Sequence, residues 1–264
     1  MVVDAVERLI SAERLGAVAT VVAGDELGAK AVIDFDAGYV AGRLPSRLAD
    51  EVLADARALM EHEQNRTLGY GDTEVFIETV APPPHLVVFG AVHIAQPLST
   101  MAHQLGFHVT VSDARAAFTT SERFPDADRV LVGWPDDLKD EIELDRRTYV
   151  VLLSHDARFE DPVLPWVLDS PVKYIGAMGS RRTSAKRIAK LQGMGFTDEQ
   201  IGRIHGPVGL DIGAEQPGET AVSILAEIIQ VRYGSGTGES LTGTTRRIHA
   251  QRTEDEGDGG PLVG

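Results

Sequence analysis

An apolar run, Leu86-Val87-Val88-Phe89, leads straight into Gly90-Ala91-Val92-His93-Ile94-Ala95 and then into an amphipathic stretch. A nucleotide-binding strand, turn and helix are written in that order, so this segment is expected to hold a nucleotide-like ligand. The register meets the G-x-G-x-x-G/A pattern at Gly90 and Ala95. Val92 stands at the middle position, where glycine would let a pyrophosphate approach the backbone closely. A side chain there is expected to weaken an ordinary dinucleotide pose and to favour a shifted ligand or a bulkier cofactor.

Around this segment, short β-rich runs alternate with helical patterns. Strands are expected at Leu86–Phe89, His108–Ser112, Arg129–Val132, Tyr149–Leu153 and Val172–Ile175. Helices are expected near Ile94–Leu105, Asp136–Asp145, Pro162–Leu168, Ser180–Leu191 and Gly218–Tyr233, with a short one at Asp198–Ile204 that Thr197 and Gln200 cap in box spacing. Near-continuous apolar strands separated by helices imply a parallel sheet covered on both faces. Ahead of it, residues 1–80 read as a small α+β domain, with helices Val2–Arg14 and Leu44–Glu63 and strands Gly16–Val22, Gly28–Phe35, Gly38–Ala41 and Glu74–Val80. Ala81-Pro82-Pro83-Pro84 stiffens the chain between the two parts. The expected fold class is therefore α/β, a Rossmann-like doubly wound parallel sheet over residues 85–233 with a smaller N-terminal α+β domain. The Gly-, Thr-, Ser- and acid-rich tail, 234–264, is expected to be mobile.

With 25 Lys and Arg against 40 Asp and Glu, the net charge is −15, which disfavours nucleic acid and anionic lipid as partners over most of the surface. Any anionic ligand needs a local positive pocket. The chain has no Cys, which excludes disulfides and thiolate metal sites. Neither a signal peptide nor a membrane-length apolar run is read in it, so the cytoplasm is the expected location.

In an open doubly wound sheet, ligands bind beyond the carboxyl ends of the strands, and the loops at those ends form one rim. Asp113 ends the second strand, where an acid can accept hydrogen bonds from ribose hydroxyls; a helix cap or a salt bridge with Arg115 is its structural alternative. Arg115 in turn can serve a phosphate by bidentate donation. Gly176-Ala177-Met178-Gly179-Ser180-Arg181-Arg182 reads as a strand end, a glycine turn and a helix start. Two arginines at a helix start oppose its dipole unless an anion answers them, so an anion site is expected there, against the alternative of an N-cap Ser180 with solvated arginines. His93 either donates to a phosphate or covers the sheet. His155 and the glycine-punctuated loop His205-Gly206-Pro207-Val208-Gly209-Leu210-Asp211 complete the rim. Neither His155 nor His205 has a ligand-spaced partner, and no G-x-S-x-G elbow, P-loop or zinc signature occurs, so neither a catalytic residue nor a protein-held metal is expected.

These residues resemble the xanthine dehydrogenase accessory factor family, of the XdhC/CoxI type, from about Leu15 to Arg232. The likeness is carried by Val87-Val88-Phe89-Gly90-Ala91 with His93-Ile94-Ala95, by Arg123-Phe124-Pro125, and by Leu152-Leu153-Ser154-His155-Asp156-Ala157-Arg158-Phe159. It continues through Tyr174-Ile175-Gly176 with Gly179-Ser180-Arg181-Arg182, then Ile204-His205-Gly206-Pro207-Val208-Gly209-Leu210-Asp211-Ile212-Gly213-Ala214, and closes on Glu219-Thr220-Ala221-Val222-Ser223-Ile224-Leu225-Ala226-Glu227-Ile228. The resemblance implies a maturation protein that binds molybdenum cofactor (molybdopterin) and shields it while a terminal oxo ligand is exchanged for sulfur. The cofactor would then pass to an apo molybdenum hydroxylase such as xanthine or carbon monoxide dehydrogenase. A small N-terminal domain, a C-terminal Rossmann domain and a homodimer are implied as well.

Many members of that family have glycine at the position of Val92. Some carry a Gly-Gly-Cys element where this chain reads Gly42-Arg43-Leu44-Pro45-Ser46-Arg47-Leu48. Leu48 cannot ligate molybdenum, so the cofactor is expected to be held through its pterin and phosphate. The residues expected to hold it are Gly90, Ala91, Val92, His93, Ile94, Ala95, Asp113, Arg115, His155, Gly176, Gly179, Ser180, Arg181, Arg182, His205, Gly206, Gly209 and Asp211. Sulfur would need an external donor, such as a cysteine desulfurase, because the chain has no thiol. Two readings compete. One is an NAD(P)-dependent oxidoreductase, which the fold and Asp113 suit and Val92 opposes; the other is a non-catalytic scaffold for the hydroxylase, which the acidic face and glycine-rich tail suit.

Overall fold

Ala17, Ala19 and Val21 are wholly buried while Val18 and Thr20 between them are not, the alternation of a strand with one face on a core. The computed structural model describes residues 1–154 and 156–243; His155 and most of the tail expected to be mobile lie outside the described residues. The chain divides into two units, Met1–Pro82 with Tyr233–Ser235, and Pro83–Arg232 with Gly236–Gly238. In the first, α1 (Val2–Ser11) precedes β1 (Gly16–Ala23), β2 (Lys30–Asp34) and β3 (Gly38–Gly42), and α2 (Ala49–Glu61) leads to β4 (Arg66–Tyr70) and β5 (Thr73–Val80). The antiparallel sheet runs β3-β2-β1-β5-β4. Val52, Ala56, Leu59 and Met60 of α2 close one face, and Ala5 and Leu9 of α1 cover Val32 in a separate cluster.

Two expectations for this unit need correction. The helix expected from Leu44 begins only at Ala49, because Pro45 disfavours the helical conformation of the residue before it; Leu44 and Leu48 drop instead into the core. Position 48, read as unable to ligate molybdenum, is a core leucine. Strand β4 was not expected, since its mostly half-exposed edge lacks a clean alternation of buried residues.

The second unit comprises β6 (His85–Phe89), α3 (Ala95–Gln104), β7 (His108–Asp113), β8 (Arg129–Val132), β9 (Thr148–Leu152), α4 (Ala157–Leu168), β10 (Tyr174–Ala177), α5 (Arg181–Gly193), α6 (Asp198–Gly202), β11 (Ile204–His205) and α7 (Pro217–Tyr233). All six strands are parallel, in the order β11-β10-β9-β6-β7-β8. Leu86, Val87, Val88 and Phe89 are all fully buried, and they divide by parity. Leu86 and Val88 join Val109, Val111, Tyr149 and Val151 beneath Leu98 of α3 and Ile224 and Ile228 of α7. Val87 and Phe89 join Val150, Leu152 and Ile175 beneath Val163 and Val167 of α4 and Leu191 of α5. Two covered faces explain why these strands read as continuous apolar runs. The fold is a Rossmann-type doubly wound sheet, as the sequence implied. Among the described residues, no helix is long and apolar enough to cross a membrane.

The helix expected over Asp136–Asp145 is reduced to a single 3-10 turn, Pro135–Leu138. Asp136 and Asp140, and likewise Asp137 and Glu141, would stack like charges four residues apart; the segment instead anchors through Leu138 and Ile142 on the second face. Helix α4 begins at Ala157, five residues before Pro162, because Asp156 caps the Arg158 amide. Strand β10 ends two residues later than expected, taking Gly176 and Ala177 into the sheet.

At the amino end of β6, His85 Nε2 lies 2.8 Å from Thr110 Oγ1. Burial lowers its pKa from 6.5 to about 4; Asp145 opposes the shift, and His108, Arg147 and Arg129 reinforce it. The folded state therefore binds a proton less readily than the unfolded chain, so this contribution is complete above pH 6.5 and lost as the pH falls to about 4. Equilibrium unfolding is expected to lose about 1 to 2 kcal/mol between neutral pH and about pH 5, and His85→Gln should flatten that slope.

Candidate functional site

The strand order reverses between β6 and β9, and Gly90 closes the carboxyl end of β6 at that point. Its φ is +112°, and a Cβ there would stand 2.9 Å from the Ser154 amide nitrogen at the end of β9. Only glycine lets the two strand ends approach so closely. The Gly90 amide donates to Ser112 O at 2.8 Å, and the Ala91 amide donates to Asp113 Oδ2 at 2.8 Å. Both amides are thereby spent within the sheet, and Ala91 and Ala95 are buried. These three residues of the expected cradle hold the turn to the sheet. The amides of Val92, His93 and Ile94 have no partner among the described residues and face the entry to α3. Val92 is half-buried against the apolar cluster of the first face, while His93 is exposed.

Asp113 is wholly buried. Its Oδ1 accepts from Arg115 N and Nε, and its Oδ2 from Ala91 N and Arg115 Nη2. Burial pushes this carboxyl up, but the Arg115 and Ala91 hydrogen bonds outweigh it and hold the group below its ordinary range. The ribose role expected of Asp113 is therefore replaced by its alternative: both oxygens are occupied in clamping Arg115 to the glycine turn.

Beyond β10 and β11 lies a second group. Tyr174 OH donates to Glu227 Oε2, the Gly209 amide donates to the same oxygen at 2.9 Å, and His205 Nδ1 lies 3.2 Å from Glu227 Oε1. The His205 ring packs on Tyr174 with centroids 4.6 Å apart. Burial pushes Glu227 up; His205, Tyr174 and the Gly209 amide together hold it below the usual carboxylate range. Burial, with Glu227 beside it, raises the Tyr174 hydroxyl pKa. With Nδ1 turned to Glu227, Nε2 of His205 is the ring nitrogen left for a ligand, its orientation set by the carboxylate behind it, as carboxylates orient histidines at metal sites. Gly176 and Gly209 give this group the room it needs. A Cβ at Gly176 would meet Val208 and the Tyr174 ring at 2.6 and 2.7 Å, and one at Gly209 would meet Ser223 Oγ at 2.4 Å.

Beneath the same loops, Arg187 is buried and pairs with Glu160 through Nε at 2.6 Å and Nη2 at 3.2 Å, while Nη2 also donates to Met178 O at 2.9 Å. Its Nη1 and the Ser184 hydroxyl are buried without partners. Both face Gly206, where a Cβ would lie 3.2 Å from each, and this places the start of α5 beside the His205 loop. Ser180 caps α5 by accepting from Thr183 N, as its structural alternative required. Arg181 and Arg182 are exposed and make no ion pair or hydrogen bond among the described residues. Gly179 has φ +150°, and Asp211 is exposed on its loop. Sequence reasoning missed Glu160, Tyr174, Arg187 and Glu227, whose partners are distant in the chain, and Ser184, whose hydroxyl is buried without one. His155 lies outside the described residues. Among the described residues, no group of His, Asp and Glu is placed to hold a metal ion.

Residues 86–228, more than half of the chain, match the family described as the XdhC Rossmann domain. The chain belongs to the XdhC family. Among its relatives, a probable xanthine dehydrogenase subunit of Bacillus subtilis (strain 168) is 36% identical over 160 residues, 61% of this chain and 46% of that protein. An uncharacterized protein of Escherichia coli (strain K12), YqeB, is 31% identical over 169 residues, 64% of this chain and 31% of its own length. The molybdenum cofactor insertion chaperone PaoD of the same organism is 39% identical over 90 residues, 34% of this chain and 28% of that protein. The XdhC chain thus matches less than half the length of each of these relatives. The crystal structure of a xanthine dehydrogenase from Bacillus halodurans aligns with a TM-score of 0.52 at 19% identity, covering 90% of this chain and 98% of that one, a likeness of fold alone.

Proposed function

We propose that this XdhC chain is a chaperone that binds molybdenum cofactor, protects it and delivers it to an apo molybdenum hydroxylase. The observation that carries the reading is the pair Arg181 and Arg182. Among the described residues they stand unpaired at the start of a 13-residue helix, beside the loop of His205, on a chain of net charge −15. Cations at that end of a helix are unfavourable unless an anion answers them. The donors fit a phosphate-bearing pterin: the two guanidiniums and first-turn amides of α5 for the phosphate, the amides of Val92 to Ile94 and His205 Nε2 for the polar ring edges. When bound, the cofactor supplies the redox chemistry of the client enzyme; this chain's residues hold and shield it. A relative described as a molybdenum cofactor insertion chaperone agrees with that division of labour.

Sulfuration on this chain would need an external donor such as a cysteine desulfurase, because the sequence has no Cys. A homodimer is proposed along with it, to be read by light scattering. NAD(P) is the competing ligand, since the sheet has the strand order of dinucleotide-binding folds; the occupied Asp113 removes the ribose acceptor on which that ligand relies. Protein purified from a host that makes molybdenum cofactor should release a pterin that fluoresces after oxidation. Release of NAD(P) instead, or of neither, would overturn the proposal. Arg181→Ala combined with Arg182→Ala is expected to cut pterin retention about tenfold or more, given about 1.5–3 kcal/mol for a hydrogen bond to a charged group.

A further inference from the structure

Ser180, Ser184 and Arg187 follow one another at spacings of four and three residues at the start of α5, so they share one side of the helix. Helical side chains lean toward the amino terminus, and the Arg187 guanidinium reaches back to the turn ahead of α5, where Nη2 donates to Met178 O at 2.9 Å. Glu160 fixes the same guanidinium through Nε at 2.6 Å and Nη2 at 3.2 Å. The fork is thus held in one orientation with Nη1 left over. Arg187 is 5% and Ser184 7% exposed, and neither Nη1 nor the Ser184 hydroxyl has a partner among the described residues. Burying such groups unpaired costs free energy, so two of them kept around one point call for a species that answers both.

That point lies beside Gly206. A Cβ there would stand 3.2 Å from Arg187 Nη1 and 3.2 Å from Ser184 Oγ, and Gly206, half-exposed in its loop, brings no side chain to fill the space. The third-nearest atom, Ala177 O, is 3.6 Å away, and the Glu160 carboxylate is already engaged by Nε and Nη2. The amides of Gly179, Ser180, Arg181 and Arg182 also lack partners among the described residues. They belong to the amino end of the same helix, whose dipole favours an anion.

We propose that Arg187 Nη1 and the Ser184 hydroxyl form the inner wall of an oxyanion subsite that takes a phosphate group, with Gly206 as its cover and the first-turn amides of α5 as its rim. The unspent groups can all donate, which selects a ligand rich in acceptors, and donors arriving from a guanidinium, a hydroxyl and a helix terminus suit the several oxygens of a tetrahedral anion. Glu160 neutralises Arg187, so this wall supplies hydrogen bonds and direction while Arg181 and Arg182 supply charge. Both inner groups lie beneath Gly206, and phosphate reaches them as this side-chain-free part of the loop lifts. The subsite rests on the proposed function: its occupant is the phosphate that the pterin carries, and free inorganic phosphate is the other source of the same chemistry.

Inorganic phosphate, titrated into the full chain at constant ionic strength, is the probe. The parent should bind it saturably by calorimetry and melt at a higher temperature in its presence. Ser184→Ala removes a hydroxyl that bonds nothing in the free protein, so without phosphate it should melt no lower than the parent. It should nevertheless bind phosphate about tenfold more weakly, the effect of losing one hydrogen bond to a charged group. Arg187→Lys keeps a cation beside Glu160 but lacks Nη1, and the same loss is expected. Gly206→Ala, whose Cβ would occupy the space between the two groups, should abolish the response. A parent that binds no phosphate, or equal affinity in Ser184→Ala and Arg187→Lys, would assign the two groups to a buried water and overturn the subsite. Pterin retained by Ser184→Ala and Gly206→Ala as fully as by the parent would also overturn it while leaving the chaperone reading intact. Phosphate bound through Ser184 and Arg187 by protein that yields no pterin would keep the subsite and overturn the chaperone reading.

Discussion

Glu160→Ala is expected to lower the unfolding free energy by about 3–5 kcal/mol, the cost of leaving a buried charge uncompensated. The Arg187 side chain is only 3% exposed and Glu160 is its bidentate partner. No other carboxylate meets that guanidinium among the described residues, and Met178 O offers a single dipole. Replacing both partners, as Glu160→Ala with Arg187→Met, should recover most of the loss, because an apolar pair carries no desolvation penalty. Denaturant titration of the two variants checks both halves. A single variant within about 0.5 kcal/mol of the parent would mean that the pair behaves as a surface ion pair.

Glu227→Ala is expected to be of similar size, about 3 kcal/mol or more. It strands three donors at once, the Tyr174 hydroxyl, the Gly209 amide and His205 Nδ1, and each unsatisfied buried group costs about 1–3 kcal/mol. Cofactor retention should fall with it, since Glu227 sets the orientation of His205. Because the Glu227 pKa is depressed in the folded state, its contribution is complete above the ordinary glutamate value of 4.5 and is lost as the pH falls through the lower, folded value. Glu227→Gln should therefore remove part of the acid-side fall in stability. A variant with an unchanged acid limb and unchanged retention would refute the role assigned to this carboxylate.

The sheet was legible because four consecutive residues, Leu86 to Phe89, are buried on both faces, so composition and position agree. The turn at Gly90 was legible for the same reason, since a tight approach to Ser154 requires glycine and glycine is visible in a sequence. What escaped is of two kinds. Asp136–Asp145 has helical apolar spacing, yet the repulsion among its acids decides the outcome, and spacing does not report that. In the candidate site, Tyr174 and Glu227 are 53 residues apart and Glu160 and Arg187 are 27 apart. Their meeting is a product of topology, with β10, α5 and α7 brought to one edge of the sheet. Asp113 was placed at its strand end with two readings open, and the structure shows the salt bridge with Arg115, which stands two residues on and reaches back to both carboxylate oxygens.

Amide hydrogen exchange on protein carrying its cofactor, compared with the same protein stripped of it, tests most directly whether the carboxyl edge of the parallel sheet holds the ligand. Slowed exchange is predicted at 92–94, 178–184 and 206–211, with the first unit unchanged. Protection confined to residues 1–82, or none along the rim, would contradict the account.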